Sequence, residues 1–209
     1  MSDHNKAYKW SFLENFMLVQ RELSVVRRID PRSKFLDVLS NSVNPCVDVV
    51  LYRDSESKQP IDRQVLMVER NEEPAKGLFW PPGGRWLKNE NLPDCARRKV
   101  REECGIENIE ILRQIGAIPF SSNMCSQEGV TEGYHAVGID YLARLIPGEH
   151  KVQIDHTSKG YNWMGFQDIE RVNPQGLHPY LFDMFNRSEV FGRNFEKFNS
   201  YYGQPEIII

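Results

Sequence analysis

Cysteine is sparse in this chain. Cys46, Cys95, Cys104 and Cys125 are the only four among 209 residues. Their spacing is not that of a zinc site, and their number is too small for a disulfide framework. Long hydrophobic runs are missing, so no segment reads as a membrane span. The opening MSDHNKAYKW is polar and does not read as a signal peptide. Reduced thiols and a cytoplasmic location are expected. There is no basic excess: the formal net charge is −3. Nucleic acid is therefore not expected as a partner, because such proteins usually carry a basic footprint. Internal repeats and low-complexity linkers are also lacking. What remains is ordinary globular composition, 40% hydrophobic and 26% charged, at a length that suits one domain with additions.

Residues 7–28 have Trp10, Leu13, Met17 and Val25 or Val26 at roughly helical spacing, with charges between. The apolar face of such a helix needs cover, either from the domain itself or from a second subunit, so a homodimer is among the expectations. Asp30-Pro31 is a plausible helix start, with Phe35, Val38 and Leu39 facing inward and an end near Ser40. CVDVVLYR (46–53) reads as a buried strand, Asp54 to Arg63 as an exposed loop, and QVLMVER (64–70) as the returning strand. Strand signals recur at 109–118, 134–146 and 161–166. A helical turn follows at 167–171, then a helix from Pro179 that buries Leu181, Phe182 and Phe185. Ser121 to Gly133 has loop composition. This pattern predicts an α/β sandwich: a helical extension over 1–44, a domain over 45–190 and a tail over 191–209.

The most informative stretch is GRWLKNENLPDCARRKVREECGI, Gly84 to Ile106. A glycine turn leads through Glu90 to a helix entered at Asn91, with Pro93 in its first turn, where the missing N–H costs little. Gly105 stops it, since glycine takes the left-handed position cheaply. Glu102 and Glu103 lie four residues after Arg98 and Lys99, so each acid neighbours a base on the helix surface. Two adjacent carboxylates can hold magnesium or manganese, which take carboxylates, waters and substrate phosphates. They can equally pair with the two bases on a solvated helix face.

The spacing resembles the Nudix box, G-x5-E-x7-R-E-U-x-E-E-x-G-U with U aliphatic. Gly84, Glu90, Arg98, Val100, Glu102, Glu103, Gly105 and Ile106 match it, and the approach Pro74-Ala-Lys-Gly-Leu-Phe-Trp-Pro-Pro-Gly-Gly is similar too. Lys99 departs from it, standing where the family has the first glutamate. The resemblance implies a Nudix-type α/β/α sandwich with a mixed sheet, and Mg2+- or Mn2+-dependent hydrolysis of a nucleoside diphosphate derivative. Further similarity runs over roughly residues 35–185 to the GDP-mannose mannosyl hydrolases, a branch with a degenerate box. Asp155-His156…Tyr161-Asn-Trp163 and Leu177-His178…Phe185 belong to it. The branch holds its cation on the box-opening glycine carbonyl, the last box glutamate and a side chain next to a catalytic histidine. Those positions look like Gly84, Glu103, Asp155 and His156. The branch has an amide where Asp155 stands, and its interval from the histidine to Tyr161 is shorter, so Thr157 or Ser158 is an alternative occupant. Glu102 belongs to the ordinary box.

The residues add their own chemistry. Arg85 follows the glycine turn and Arg70 closes a strand; a guanidinium fork matches phosphate oxygens. Arg98 is expected to orient the acids. Tyr134 and His135 open a strand within possible reach of a ligand phosphate, or are ordinary strand residues. His178, before Pro179, reads as a helix N-terminal residue. His156 suits a general base, because imidazole titrates near neutrality, or is simply a turn residue. For Lys99 three readings stand beside a solvent-facing side chain: one cation instead of several, an ammonium partly replacing a cation, or a disabled site. Hydrolysis of a nucleoside diphosphate sugar therefore competes with pyrophosphohydrolysis at phosphorus, and with a Nudix-fold binding or regulatory protein.

Overall fold

The computed structural model describes residues 31–131, 133–172 and 177–195. The helix expected over 7–28 lies outside them, as does most of the expected tail. Helix α1 spans Arg32–Asn41 and leads into strand β1, Asn44–Arg53. After a 3-10 turn at Pro60–Asp62 come β2 (Gln64–Arg70), β3 (Phe79–Trp80) and β4 (Gly83–Arg85). Helix α2 spans Leu92–Cys104. Strands β5 (Ile109–Ser122), β6 (Tyr134–Leu145) and β7 (Ser158–Met164) follow, then α3 (Phe166–Val172) and α4 (Pro179–Ser188). Among the described residues no helix is long and apolar enough to cross a membrane.

The sheet is mixed. β1 runs parallel to β6 from Asn44↔Ala136 to Tyr52↔Arg144, and β6 pairs antiparallel with β5. On its other edge β1 meets β2 only at Tyr52↔Val65 and Arg53↔Gln64. The two strands then part. β4 pairs with β1 at Cys46, Val47 and Asp48, and β3 pairs with β2 at Val68 and Glu69. β7 covers the far edge of β2. The loop that carries the glycine turn is thus held between two diverging strands.

Alternation along β1 assigns its two faces. Val47, Val49 and Leu51 pack with Cys95, Ala96, Val100 and Cys104 of α2. Val50 and Tyr52 pack with Leu181, Phe182 and Phe185 of α4. These layers make the α/β/α sandwich that the sequence predicts. The second core extends beyond the expected boundary at 190. Phe191 and Phe195 are 1% and 3% exposed, and Phe195 stacks on Phe166 with ring centroids 4.4 Å apart. Burying a phenylalanine stabilises by about 1.5–3 kcal/mol, so this end belongs to the domain.

Several boundaries differ from the sequence reading. Val38 is 40% exposed; Leu36 is half-buried and Leu39 buried, so the inward stripe of α1 is rotated from the expected one. β5 continues to Ser122 because its partner β6 continues to Tyr134. β7 begins at Ser158 rather than Tyr161, drawn on by pairing with Arg70.

Candidate functional site

Helix α2 is placed by its own termini. The Asn91 side chain accepts from Asp94 N–H, and Pro93 sits in the first turn. Gly105 takes φ 68 and donates its N–H to the Arg101 carbonyl. The buried stripe of Cys95, Ala96, Val100 and Cys104 fixes the rotation of the helix and brings Arg98, Lys99 and Glu103 toward β4.

Arg98 organises the loop. Its Nε and Nη2 donate to the two Glu90 oxygens at 2.6 and 2.8 Å, Nη1 to Glu102 at 2.9 Å, and Nη2 to the Arg85 carbonyl at 3.0 Å. Glu90 also accepts from Leu87 N–H. Burial alone would raise the Glu90 carboxyl, but the Arg98 guanidinium and the Leu87 N–H hold it below its ordinary value. The Arg98 side chain is an orienting residue, as its place in the box suggests.

Lys99 does not point to solvent. Its Nζ lies 2.6 Å from Glu103 Oε1 and 3.7 Å from Glu102 Oε2. The other Glu103 oxygen accepts from Gly83 N–H at 3.1 Å. Burial works against the Lys99 charge, yet Glu103 and Glu102 bring its pKa above the ordinary value. Burial also raises Glu103, and Lys99 only partly reverses this. Both shifts are upward, which favours the lysine's charge and opposes the glutamate's. The contact of 2.6 Å is the geometry of an ion pair. Gly84, with φ 143, lies against the lysine: a Cβ there would stand 2.8 Å from Lys99 Cε.

Asp155 and His156 are nearby. Asp155 N–H donates to the Glu103 carbonyl, and Asp155 Oδ1 accepts from the Thr157 N–H and hydroxyl. His156 follows in this turn and is exposed.

Of the four residues expected to bind substrate, Arg70 and Tyr134 line a common cleft, and Arg85 and His135 do not. A cleft of about 570 Å³, open mouth included, is lined by Asp48, Arg70, Trp80, Gly83, Tyr134 and Tyr180, among others. Tyr134 therefore faces the cleft, with its hydroxyl 3.3 Å from Cys46 Sγ. His135 does not line it: the neighbouring position on β6 points to the opposite face, and the ring is exposed. Arg70 donates from Nε to the Pro74 carbonyl. Arg85 sits over Phe35, its Cζ 4.7 Å from the ring centroid, with Nη1 buried and without a hydrogen-bond partner among the described residues. Neither arginine forms an ion pair among the described residues, although the Arg70 charge acts on Asp48 in the same cleft. His178 caps α4, its Nδ1 accepting from Tyr180 N–H.

The site contains one acid that the sequence reading took for plain strand. Asp48 is 8% exposed and lines the cleft. Its neighbour across β6 is Asp140, which is held by Arg187 at 2.7 Å and the Tyr180 hydroxyl at 3.1 Å. Burial, and then the Asp140 charge, raise Asp48 well above the ordinary carboxylate range. A Cβ on Gly83 would stand 2.1 Å from Asp48 Oδ1, and one on Gly138 3.0 Å from Oδ2. Two glycines thus make room for this carboxyl. Its signal in the sequence is a lone acid within CVDVVLYR.

The acids do not assemble a divalent-cation site as they stand. Glu103 is engaged by Lys99 and Gly83, Glu102 by Arg98, and Asp155 by Thr157. Among the described residues no group of three or more His, Cys, Asp or Glu side chains is arranged to hold a metal.

Residues 44–185, well over half of the chain, match the family model described as the NUDIX domain. The chain belongs to the Nudix family. Among curated proteins, low-salt glycan biosynthesis protein Agl8 of Haloferax volcanii is 27% identical over 119 residues, covering 56% of this chain and 69% of that one. Among solved structures, a C. elegans Ap4A hydrolase binary complex superposes with TM-score 0.53 at 18% identity, covering 71% of this chain and 97% of the other. The MutT protein of Methanosarcina mazei Go1 gives TM-score 0.54 at 19% identity, with 73% and 96% covered. These superpositions show a shared Nudix fold.

Proposed function

We propose that this Nudix chain hydrolyses a nucleoside diphosphate sugar, with a GDP-hexose such as GDP-mannose as the favoured substrate, by water attack at the anomeric carbon. The observation that carries the reading is the Lys99–Glu103 ion pair at 2.6 Å. Attack at phosphorus in this family draws on clustered acids and several cations, and here the central acid is occupied by a lysine. Attack at carbon asks less of the site. It needs an environment that takes up the negative charge of the departing diphosphate, and a base for one water.

Both are available. Arg70 lines the cleft, and neither it nor Arg85 forms an ion pair among the described residues; their guanidinium groups can meet diphosphate oxygens, which is electrostatic stabilisation of a developing anion. His156 is exposed and follows Asp155, whose N–H meets the Glu103 carbonyl, and an imidazole there can take a proton from water. The water oxygen bonds to the anomeric carbon as the bond from that carbon to the phosphate oxygen breaks. The electron pair leaves with the nucleoside diphosphate, the water proton goes to His156 and then to solvent, and the sugar inverts. The similarity to Agl8, a low-salt glycan biosynthesis protein, supports a sugar-bearing substrate. Magnesium dependence, which the family resemblance implies through Gly84, Glu103 and Asp155, would require Lys99 to leave Glu103.

A second reading is favoured by the same ion pair: a Nudix-fold protein that binds its nucleotide without turning it over. A screen of nucleoside diphosphate sugars with separated products tests the choice. Free sugar plus nucleoside diphosphate is expected. Sugar phosphate plus nucleoside monophosphate would return the chain to pyrophosphohydrolysis, and binding without products would favour the second reading.

A further inference from the structure

We infer that Lys99 is a built-in cation that takes the place of a divalent metal ion at Glu103, so that the site binds its diphosphate ligand without magnesium. The ligand class rests on the proposed function; the exclusion of the metal ion does not. Both Glu103 oxygens are already used, one by the ammonium at 2.6 Å and the other by Gly83 N–H at 3.1 Å. The lysine stem also packs onto Gly84, where a Cβ would be 2.8 Å from Cε. Glu103 and Gly84 are the two box residues that the family resemblance gives as cation ligands, and Lys99 covers both. A divalent ion on Glu103 would stand beside an ammonium.

Charge balance agrees. Exchanging glutamate for lysine changes the local charge by two units, which is the charge of one magnesium ion. A box with Lys99 and no metal therefore has the net charge of a box with glutamate there and one divalent ion. The other nearby acids also have partners, each through one oxygen. Glu102 is taken by Arg98, and Asp155 by the Thr157 N–H and hydroxyl. The neighbourhood contains three acids, Glu90, Glu102 and Glu103, with two bases, Arg98 and Lys99, all joined by contacts of 3.7 Å or less.

The test has two arms. In the first, the full chain is titrated with Mn2+ and free ion is read by electron paramagnetic resonance. The parent is expected to bind no Mn2+ at the box. Lys99→Glu should gain one ion per chain, and adding Glu103→Gln to that variant should abolish the gain. Lys99→Gln, which removes the charge with a side chain one atom shorter, should also gain binding and serves if the acidic variant fails to fold. Parent protein that binds Mn2+ and loses it with Glu103→Gln alone overturns the inference. In the second arm, GDP binding is measured by calorimetry in magnesium and in EDTA. Equal affinity supports metal-free binding, and a loss of about tenfold or more in EDTA, 1.4 kcal/mol, overturns it. If GDP binds in neither condition, the proposed ligand class falls, and the Mn2+ arm alone decides the role of Lys99.

Discussion

Removing Arg98 should unfold the box loop before it affects anything else. The Arg98 and Glu90 side chains are 9% and 5% exposed, and the fork between them makes contacts of 2.6 and 2.8 Å. Arg98→Met fills similar space but leaves the Glu90 carboxylate buried, with the Leu87 N–H and the weak Cys95 thiol as donors. Breaking a buried pair from one side costs about 3–5 kcal/mol. The contact with half-exposed Glu102 adds little, since such pairs contribute about 0–1 kcal/mol. For a domain of this size the loss corresponds to a fall in Tm of about 6–20 °C. Urea unfolding at pH 7 reads the free energy directly. Arg98→Met combined with Glu90→Leu should recover much of it, because apolar replacement of both partners removes the stranded charge. Arg97→Met is the control: its pair with Asp94 is exposed, and the change should stay within about 0.5 kcal/mol. A loss below about 1 kcal/mol for Arg98→Met would refute the reasoning, since it would mean that Glu90 is neither buried nor charged as described.

Asp48→Asn should change the pH dependence of stability. The folded-state carboxyl is raised above its ordinary value by burial and by Asp140, so between about pH 4 and that raised value the folded chain holds a proton that the unfolded chain has lost. Stability contributed by this group therefore falls as pH rises through that window. The asparagine variant should be more stable than the parent at pH 8, with the gap closing toward pH 5; parallel unfolding curves at both pH values would contradict this. Phe191→Ala should cost about 3–5 kcal/mol, read by urea unfolding, if the core runs beyond residue 190 as its 1% exposure indicates. His156→Ala should remove turnover of the nucleotide sugar while sparing its binding, measured by steady-state kinetics and calorimetry. Retained turnover would move the base to Thr157, Ser158 or another group.

Much of this fold is legible because its signals are local. Asn91, Pro93 and Gly105 delimit α2 through cap and turn chemistry, which needs no knowledge of the tertiary structure. The strands from 46 to 70 announce themselves by apolar content and by the polar loop between them. The rotation of α1 is harder. Val38 and Leu36 are both plausible inward residues on so short a helix, and packing decides between them. The extension of the core to Phe191 and Phe195 depends on Phe166, distant in sequence, and could not be read from the weak pattern there.

The site divides in the same way. Spacing places Arg98 against Glu90 and the box acids, and alternation along β6 separates Tyr134 from His135 only once the sheet's faces are known. Lys99 is the instructive residue. Helical spacing makes Glu103 its neighbour, but a lysine of that reach can equally extend into water. Its choice follows from Gly84, which leaves the space that the lysine stem fills. Asp48 was hidden for a different reason: a carboxyl within an apolar strand gives no hint of the glycines on the neighbouring strands that accommodate it.

The bond that breaks is the most direct measure of the proposed chemistry. GDP-mannose is incubated with the chain in oxygen-18 water, and both products are weighed by mass spectrometry. Attack at the anomeric carbon predicts one heavy oxygen in the released mannose and none in the GDP. Heavy oxygen in a phosphate, with mannose phosphate and GMP as products, would contradict it.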